Sequence, residues 1–121
     1  MLAVGESIWG EVDPSLQRAT TPFHGGVAGT KAELCGAFAA GLMVIGAQTG
    51  RIDAAVDRSP CTRLSAAYRE AFLQRWETTH CGTLRASGYG GPEQPCSALV
   101  AEAVGLLLGV LGQDAPAARP E

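Results

Sequence analysis

The sequence predicts an all-α fold, a small bundle of four to five helices around a central apolar helix that is rich in glycine. Apolar residues recur at helical spacing in several segments, whereas no segment shows the apolar–polar alternation that is typical of a β-strand. The chain also carries no charged residue between Glu33 and Arg51. A helix in this stretch has no solvent face, so it belongs in the centre of the protein.

The central helix is predicted to begin at Thr30 and to end at Gly50. Thr30 and Glu33 have the spacing of a capping box, in which each side chain accepts a hydrogen bond from the backbone of the other residue. Gly50 can adopt the left-handed conformation that often ends a helix. Other parts of the chain are expected to pack closely on more than one side of this helix, because it contains three glycines: Gly36, Gly41 and Gly46.

A capping residue followed by proline predicts the start of two further helices. Asp13-Pro14 precedes a short helix over residues 15–21, and Ser59-Pro60 precedes a helix over residues 60–79. Apolar side chains recur every four residues along the second of these helices, which indicates one buried face: Leu64, Tyr68, Phe72 and Trp76.

The remaining segments are assigned from their composition. Residues 1–12 are mostly apolar and are interpreted as a first helix, and residues 95–111 as a last one. The glycine-bearing residues 82–94 are interpreted as a loop. Residues 113–121 are rich in proline and alanine and are expected to form a disordered tail, which leaves residues 1–112 as a single domain.

The composition excludes several classes of protein. The chain has 121 residues, of which 46% are hydrophobic and 17% are charged, as in a compact globular domain. Its net charge is −3 and its basic residues are scattered, so no nucleic-acid-binding surface is expected. The uncharged central stretch is shorter than the roughly 20 residues that cross a bilayer, and the N-terminus lacks the features of a signal peptide. We therefore expect a cytoplasmic protein without a membrane span, whose four cysteines stay reduced for redox or metal chemistry.

The order of the helices predicts that three cysteines meet at one end of the bundle. Cys35 lies near the start of the central helix. If the next helix runs antiparallel, its end brings Cys81 back beside Cys35, and the last helix begins nearby with Cys96. His24 and His80 belong to the same end and are candidate ligands.

Cys61 is expected to stand apart from the other three thiols. It lies at the start of the helix that follows the central one, roughly 20 Å from Cys35, which is about the length of the central helix at 1.5 Å per residue. Cys61 is therefore predicted to be partly exposed and to take no part in a disulfide or metal site.

Four segments around these cysteines resemble one known protein family. The segments are residues 13–26, with a Phe-His-Gly-Gly loop, Cys35-Gly-Ala-Phe-Ala-Ala-Gly-Leu-Met-Val-Ile-Gly46, Thr79-His-Cys-Gly-Thr-Leu84 and Pro95-Cys-Ser-Ala-Leu-Val-Ala-Glu-Ala-Val104. Together they are similar to the redox-active proteins named for their C-GCAxxG-C-C cysteine pattern. The likeness spans nearly the whole chain.

The resemblance implies a small helical protein with thiol–disulfide or iron-centred redox chemistry, and a related domain occurs in the split-Soret cytochromes c. It implies reactive thiols at Cys35, Cys81 and Cys96. It also implies a cofactor-binding loop at His24, Gly25 and Gly26, where His24 replaces a usual glycine. The first cysteine of the family has no counterpart, so either the start is truncated or this member has lost it. No Cys-x-x-Cys-His motif is present, so covalent c-type haem is not expected.

Three interpretations of the function remain open on the sequence. In the first, two of Cys35, Cys81 and Cys96 cycle between dithiol and disulfide. In the second, the three thiolates and either His24 or His80 bind an iron–sulfur cluster or another metal. In the third, the chain is a non-catalytic helical interaction protein whose cysteines only fill the core.

The central and last helices also predict how the protein assembles. Both are apolar on nearly every face, and a small monomer has difficulty covering two such helices. We therefore predict a homodimer. A redox function would also require a redox partner, which the sequence does not identify.

Overall fold

The computed structural model describes residues 2–91 and 95–112, and this part of the chain is all-α, as predicted. It contains six α-helices: α1 (Leu2–Trp9), α2 (Pro14–Thr20), α3 (Gly36–Thr49), α4 (Ser59–Trp76), α5 (Cys81–Ala86) and α6 (Cys96–Gly112). A single turn of 3-10 helix covers Thr21–Phe23. None of the helices described is both long enough and apolar enough to pass through a membrane. The predicted disordered tail, residues 113–121, lies outside the described residues.

Helix α3 forms the centre of the bundle and packs against α4 and α6. The aromatic face predicted for α4 is confirmed, since Tyr68 and Phe72 are almost completely buried. Phe38 of α3 stacks on Tyr68 with 5.4 Å between ring centroids and contacts Phe72 at 5.0 Å. Trp76 extends this cluster and donates a 3.0 Å hydrogen bond from Nε1 to the Tyr89 hydroxyl. The aromatic cluster therefore joins α3 and α4 to the segment that follows α5.

The predicted starts of the helices are largely confirmed. The Asp13 carboxylate accepts a 2.7 Å hydrogen bond from the backbone N–H of Ser15 and caps α2. Helix α4 begins at Ser59, one residue before the predicted start, and α6 begins at Cys96, one residue after it.

The start of the central helix was predicted incorrectly. Helix α3 begins at Gly36, and no capping box forms at Thr30. The Thr30 hydroxyl instead donates to the carbonyl of Gly26 at 2.9 Å and accepts from the N–H of Ala32 at 3.2 Å. The reason is tertiary, because the backbone of residues 31–35 forms hydrogen bonds with residues 79–82, at the start of α5, rather than continuing the helix. The end at Gly50 is as predicted, but Gly50 is extended, with φ −71° and ψ 173°, and not left-handed.

The region after α4 also differs from the prediction. Helix α4 ends at Trp76, because Glu77 adopts a left-handed conformation with φ 64°. A short helix, α5, then covers Cys81–Ala86, although residues 82–94 had been interpreted as a loop. The side chain of His80 accepts a hydrogen bond from the N–H of Thr83 and caps this helix. Cys81 therefore begins a helix rather than ending one.

The glycines of α3 were predicted to allow close packing, and two of the three do so. A Cβ atom at Gly36 would lie 2.8 Å from the carbonyl oxygen of Phe23, and one at Gly41 would lie 2.6 Å from the Tyr68 ring and hydroxyl. A Cβ atom at Gly46 would have nothing within 4 Å. Close approach therefore explains Gly36 and Gly41 but not Gly46.

We expect Gly41→Ala and Gly46→Ala to change stability in opposite directions. At Gly46 the added methyl group raises helix propensity without a clash, which should stabilise the protein by about 0.5–1 kcal/mol. At Gly41 the same methyl group collides with the buried Tyr68 ring, and overpacking should destabilise the protein by about 1–3 kcal/mol. Urea unfolding of both variants measures these differences. Equal effects of the two substitutions would contradict the packing of Tyr68 against Gly41.

Candidate functional site

A small antiparallel contact brings two of the cysteines together. Leu34 and His80 form an isolated β-bridge. The N–H of Cys35 donates to the carbonyl of Thr79 at 2.7 Å, and the N–H of Cys81 donates to the carbonyl of Glu33 at 2.9 Å. Because each cysteine follows a residue of the bridge, the contact holds both at one place in the bundle.

Three helices begin at the same pocket, and each contributes a cysteine at its start. Cys35 is the N-cap of α3, Cys81 is the first residue of α5 and Cys96 is the first residue of α6. All three line a pocket of about 150 Å³ that is partly open to solvent. Its remaining lining is mainly glycine and apolar side chains: Gly25, Gly26, Gly36, Ala37, Leu84, Arg85, Tyr89, Leu99 and Val100. The structure thus brings the three predicted thiols to one cavity.

Arg85 supplies the positive charge of this pocket. Its guanidinium lies beside the Cys81 sulfur. A hydrogen bond to Cys81 is the largest cause that raises the pKa of Arg85, and negative charge on Cys96 is the next. A Cβ atom added at Gly90 would lie 2.5 Å from Nη1 of Arg85 and 3.6 Å from Sγ of Cys96. The guanidinium therefore also lies close to Cys96. Positive charge stabilises the thiolate form, which is the reactive form of cysteine.

Cys35 has a different environment from the thiols beside Arg85. Burial raises its pKa, and this outweighs the N–H groups of Phe38 and Ala37, which face the sulfur and lower the pKa. Negative charge on Cys81 and Cys96 raises the pKa further. The Tyr68 hydroxyl lies nearby and stays protonated. Burial is the main cause that raises its pKa, and negative charge on Cys35 raises it further. Burial therefore disfavours the thiolate form of Cys35.

The two histidines do not line the pocket. His80 is exposed, and both of its ring nitrogens have partners. Nδ1 accepts from the N–H of Thr83 at 3.1 Å, so Nε2 donates to the carbonyl of Ala32 at 3.0 Å. His24 is also exposed. If Gly29 carried a Cβ atom, the nearest side-chain atom to it would be Cε1 of His24, at 3.5 Å. The hydrogen bonds of His80 therefore tie the start of α5 to the backbone at Ala32.

The donor set of the described residues does not fit a four-thiolate iron–sulfur cluster or a four-ligand structural zinc site. Cluster sites usually use four cysteine thiolates, and structural zinc sites use four ligands. Three thiols line this pocket, and the fourth cysteine, Cys61, lies elsewhere. Within residues 2–91 and 95–112, no group of three or more His, Cys, Asp or Glu side chains is arranged to hold a metal ion.

Cys61 lies apart from the other thiols, in a groove that it shares with Phe38 and Leu42 of α3. It is half-buried, and its sulfur is 4.0 Å from the Ser65 hydroxyl. The partial exposure that the sequence predicted is therefore present. This groove lies beside the first half of α3, whereas the sequence had placed Cys61 at the far end of the central helix from Cys35. Cys61 does not line the pocket of the other three thiols, so it serves as a comparison for them.

Sequence reasoning missed Arg85 as a functional residue. The signal was its position four residues after Cys81, which places both side chains on one face of a helix. That spacing carried no meaning while residues 82–94 were interpreted as a loop. Sequence reasoning also missed Tyr89 and Leu99, which close the apolar side of the pocket, because their position there depends on the tertiary structure.

Comparison with known proteins identifies the family of the chain. No curated protein and no solved structure matches it significantly. A family model described as "Putative redox-active protein (C_GCAxxG_C_C)" matches residues 1–109, which is most of the chain. That match includes all three pocket cysteines. The chain therefore belongs to the C_GCAxxG_C_C family of redox-active proteins.

Proposed function

We propose that this chain is a thiol–disulfide redox protein in which Cys96 and Cys81 form the reversible disulfide. The observation that carries the proposal is Arg85, whose guanidinium lies beside both sulfurs. Within the described residues, no carboxylate forms a salt bridge with it. An arginine beside thiols at the start of two helices, with no carboxylate partner among the described residues, favours thiolates, and thiolates are the attacking species in disulfide exchange.

The burial of the two cysteines supports an order of reaction. Cys96 is half-buried at the start of α6, so a substrate in the pocket can reach it. Cys81 is only 7% exposed and is the less accessible of the pair. Cys96 is therefore the attacking thiolate, and Cys81 resolves the intermediate.

The exchange balances with a substrate disulfide as the oxidant. The Cys96 thiolate attacks one sulfur of the substrate, the substrate S–S bond breaks, and one substrate thiolate leaves while a mixed disulfide forms. The Cys81 thiolate then attacks the Cys96 sulfur and releases the second substrate thiolate. Two electrons pass from the protein to the substrate, and an external dithiol reduces the protein by the reverse sequence.

Single substitutions of the cysteines test this assignment. In the reduced protein treated with a small disulfide, peptide mass mapping should find a Cys81–Cys96 disulfide. Cys81→Ala should instead retain the mixed disulfide on Cys96, because no resolving thiol follows, and Cys96→Ala should form neither product. Cys61→Ala is the matched control and should behave as the unmodified protein, at a stability cost under about 1 kcal/mol.

Other outcomes of the same experiment would contradict the assignment. Loss of the disulfide in Cys61→Ala, or a disulfide that joins Cys35 to Cys81 in the unmodified chain, would show that a different pair reacts. One equivalent of metal in protein purified without oxygen would favour the metal-binding interpretation. Circular dichroism of each variant confirms that the helices remain formed.

We expect Cys35 to titrate at higher pH than a cysteine of the unfolded chain, because burial raises its pKa. Its alkylation by a neutral reagent, followed by mass spectrometry as a function of pH, gives the midpoint directly. The same shift makes the protein lose stability as pH rises from the unfolded pKa to the folded pKa, since the unfolded chain releases this proton first. Cys35→Ala should remove that loss. A midpoint at or below that of the unfolded chain would contradict the burial of Cys35.

We also propose that the chain forms a homodimer through α6. Val100 and Leu108 of this helix are 44% and 36% exposed, which leaves apolar side chains on its surface. Light scattering at micromolar concentration should give the mass of two chains. Val100→Lys and Leu108→Lys should shift the mass towards one chain, whereas Val56→Lys, in an exposed loop, should not. A monomer in the unmodified protein would contradict the proposal.

A further inference from the structure

Three hydrogen-bond donors at the cysteine pocket have no partner among the residues that the structure describes. One is Nε of Arg85, which is closed to water, so an anion in the pocket first meets the other N–H groups of the same guanidinium. The backbone N–H groups of Gly25 and Gly26, which line the pocket, likewise donate to no acceptor in the part of the chain that the structure describes. Gly26 is a buried residue, and an N–H without an acceptor inside a protein is costly unless water or a ligand reaches it.

These donors share one chemical preference, which is for an anion. The guanidinium of Arg85 has the fork geometry that binds carboxylates and other oxyanions. Successive backbone N–H groups in a turn form concave sites for anionic oxygen atoms. Helices α3 and α6 also begin at this pocket, and their N-terminal ends add positive potential.

The shape of the glycine turn keeps the backbone close to the thiols. Gly25 and Gly26 have φ values of 53° and 72°, which are accessible to glycine at little cost. A Cβ atom at Gly26 would lie 2.5 Å from Cβ of Cys81 and 3.1 Å from its sulfur. The absence of this side chain therefore lets the backbone of Gly26 approach the resolving thiol closely.

We propose that this pocket binds the anionic oxygen group of a small sulfur compound and so presents the sulfur of that compound to Cys96. The inference rests on the proposed exchange function and adds its substrate class. A cavity of about 150 Å³ is large enough for a molecule of benzene size, about six non-hydrogen atoms. The substrate is therefore a low-molecular-weight disulfide with a carboxylate or a sulfur oxyanion, whose own S–S bond breaks in the exchange, rather than a protein disulfide.

Alkylation with two reagents of nearly equal size tests the anion site independently of disulfide exchange. Iodoacetate carries a carboxylate, and iodoacetamide is neutral. In both, the thiolate sulfur forms a bond to carbon while iodide leaves. The measured quantity is the iodoacetate-to-iodoacetamide rate ratio at Cys96, with Cys61 of the same molecule as the internal comparison. We expect the ratio at Cys96 to exceed that at Cys61 by about tenfold, the effect of one charge-assisted contact.

Substitution of Arg85 separates anion binding from simple activation of the thiolate. Arg85→Gln should lower the ratio at Cys96 by about tenfold, and Arg85→Lys should lower it less because the charge remains. Arg69→Gln is the matched control, since Arg69 lines the Cys61 groove and not the pocket, and it should leave the ratio at Cys96 unchanged. If Arg85→Gln slows both reagents equally, Arg85 only activates the thiolate and the proposal is wrong.

Competing anions identify the anionic group. At constant ionic strength, sodium acetate and sodium thiosulfate are each tested for protection of Cys96 against iodoacetate. Protection by acetate indicates a carboxylate substrate, and protection by thiosulfate indicates a sulfur oxyanion. Protection by neither, together with equal ratios at Cys96 and Cys61, would overturn the anion site.

A second assay uses three small disulfides that differ in charge: dithiodiglycolate, bis(2-hydroxyethyl) disulfide and cystamine. A thiolate without an anion site reacts fastest with the cationic disulfide and slowest with the anionic one. We expect the opposite order for oxidation of the Cys81–Cys96 pair. If the alkylation ratio is high but none of the disulfides forms the Cys81–Cys96 bond, the anion site stands and the exchange function fails. If exchange occurs in the ordinary charge order, the substrate class is wrong.

Discussion

The candidate site depends on the backbone contact between residues 31–35 and 79–82. The N–H groups of Cys35, Cys81 and Gly82 all donate across it, to Thr79, Glu33 and Lys31 respectively, at 2.7–2.9 Å. These residues lie more than forty positions apart in the chain, so the contact fixes where α3 and α5 begin relative to each other. A Cβ atom at Gly82 would lie 2.8 Å from the carbonyl of Lys31, which shows how closely the two segments approach. Two thiols become neighbours because two backbone segments pair.

The loop before this contact is held in an uncommon conformation. Five consecutive residues, 25–29, have positive φ, and they include Val27 at 71°, which is disfavoured for a β-branched side chain. Hydrogen bonds from Ala28 to Pro22 and from Gly29 to His24 hold the turn. Such strain persists only where the surrounding structure determines it, and it is common at functional sites. Here the turn places Gly25 and Gly26 against the pocket rather than in solvent.

The three pocket thiols are chemically distinct although they share one cavity. Burial disfavours the thiolate form of Cys35, whereas Arg85 lies beside Cys81 and Cys96. The apolar residues that form the rest of the lining, such as Leu84 and Leu99, belong to the same core that joins α4 to α6. Packing of the bundle and the reactivity of the site therefore depend on the same side chains. A substitution that loosens this core would be expected to alter both.

The sequence by itself determined the fold class, the buried face of α4 and the order of the cysteines along the chain. Local features carry this information, since helical spacing and capping residues act within a few positions. They could not determine where α3 begins, because long-range backbone pairing replaces the local capping box at Thr30. Nor could they reveal α5 or Arg85, because a helix of six residues is too short to give a periodic signal. Only the tertiary structure brought Arg85 to the thiols, since that proximity depends on the packing of three helix starts around one pocket.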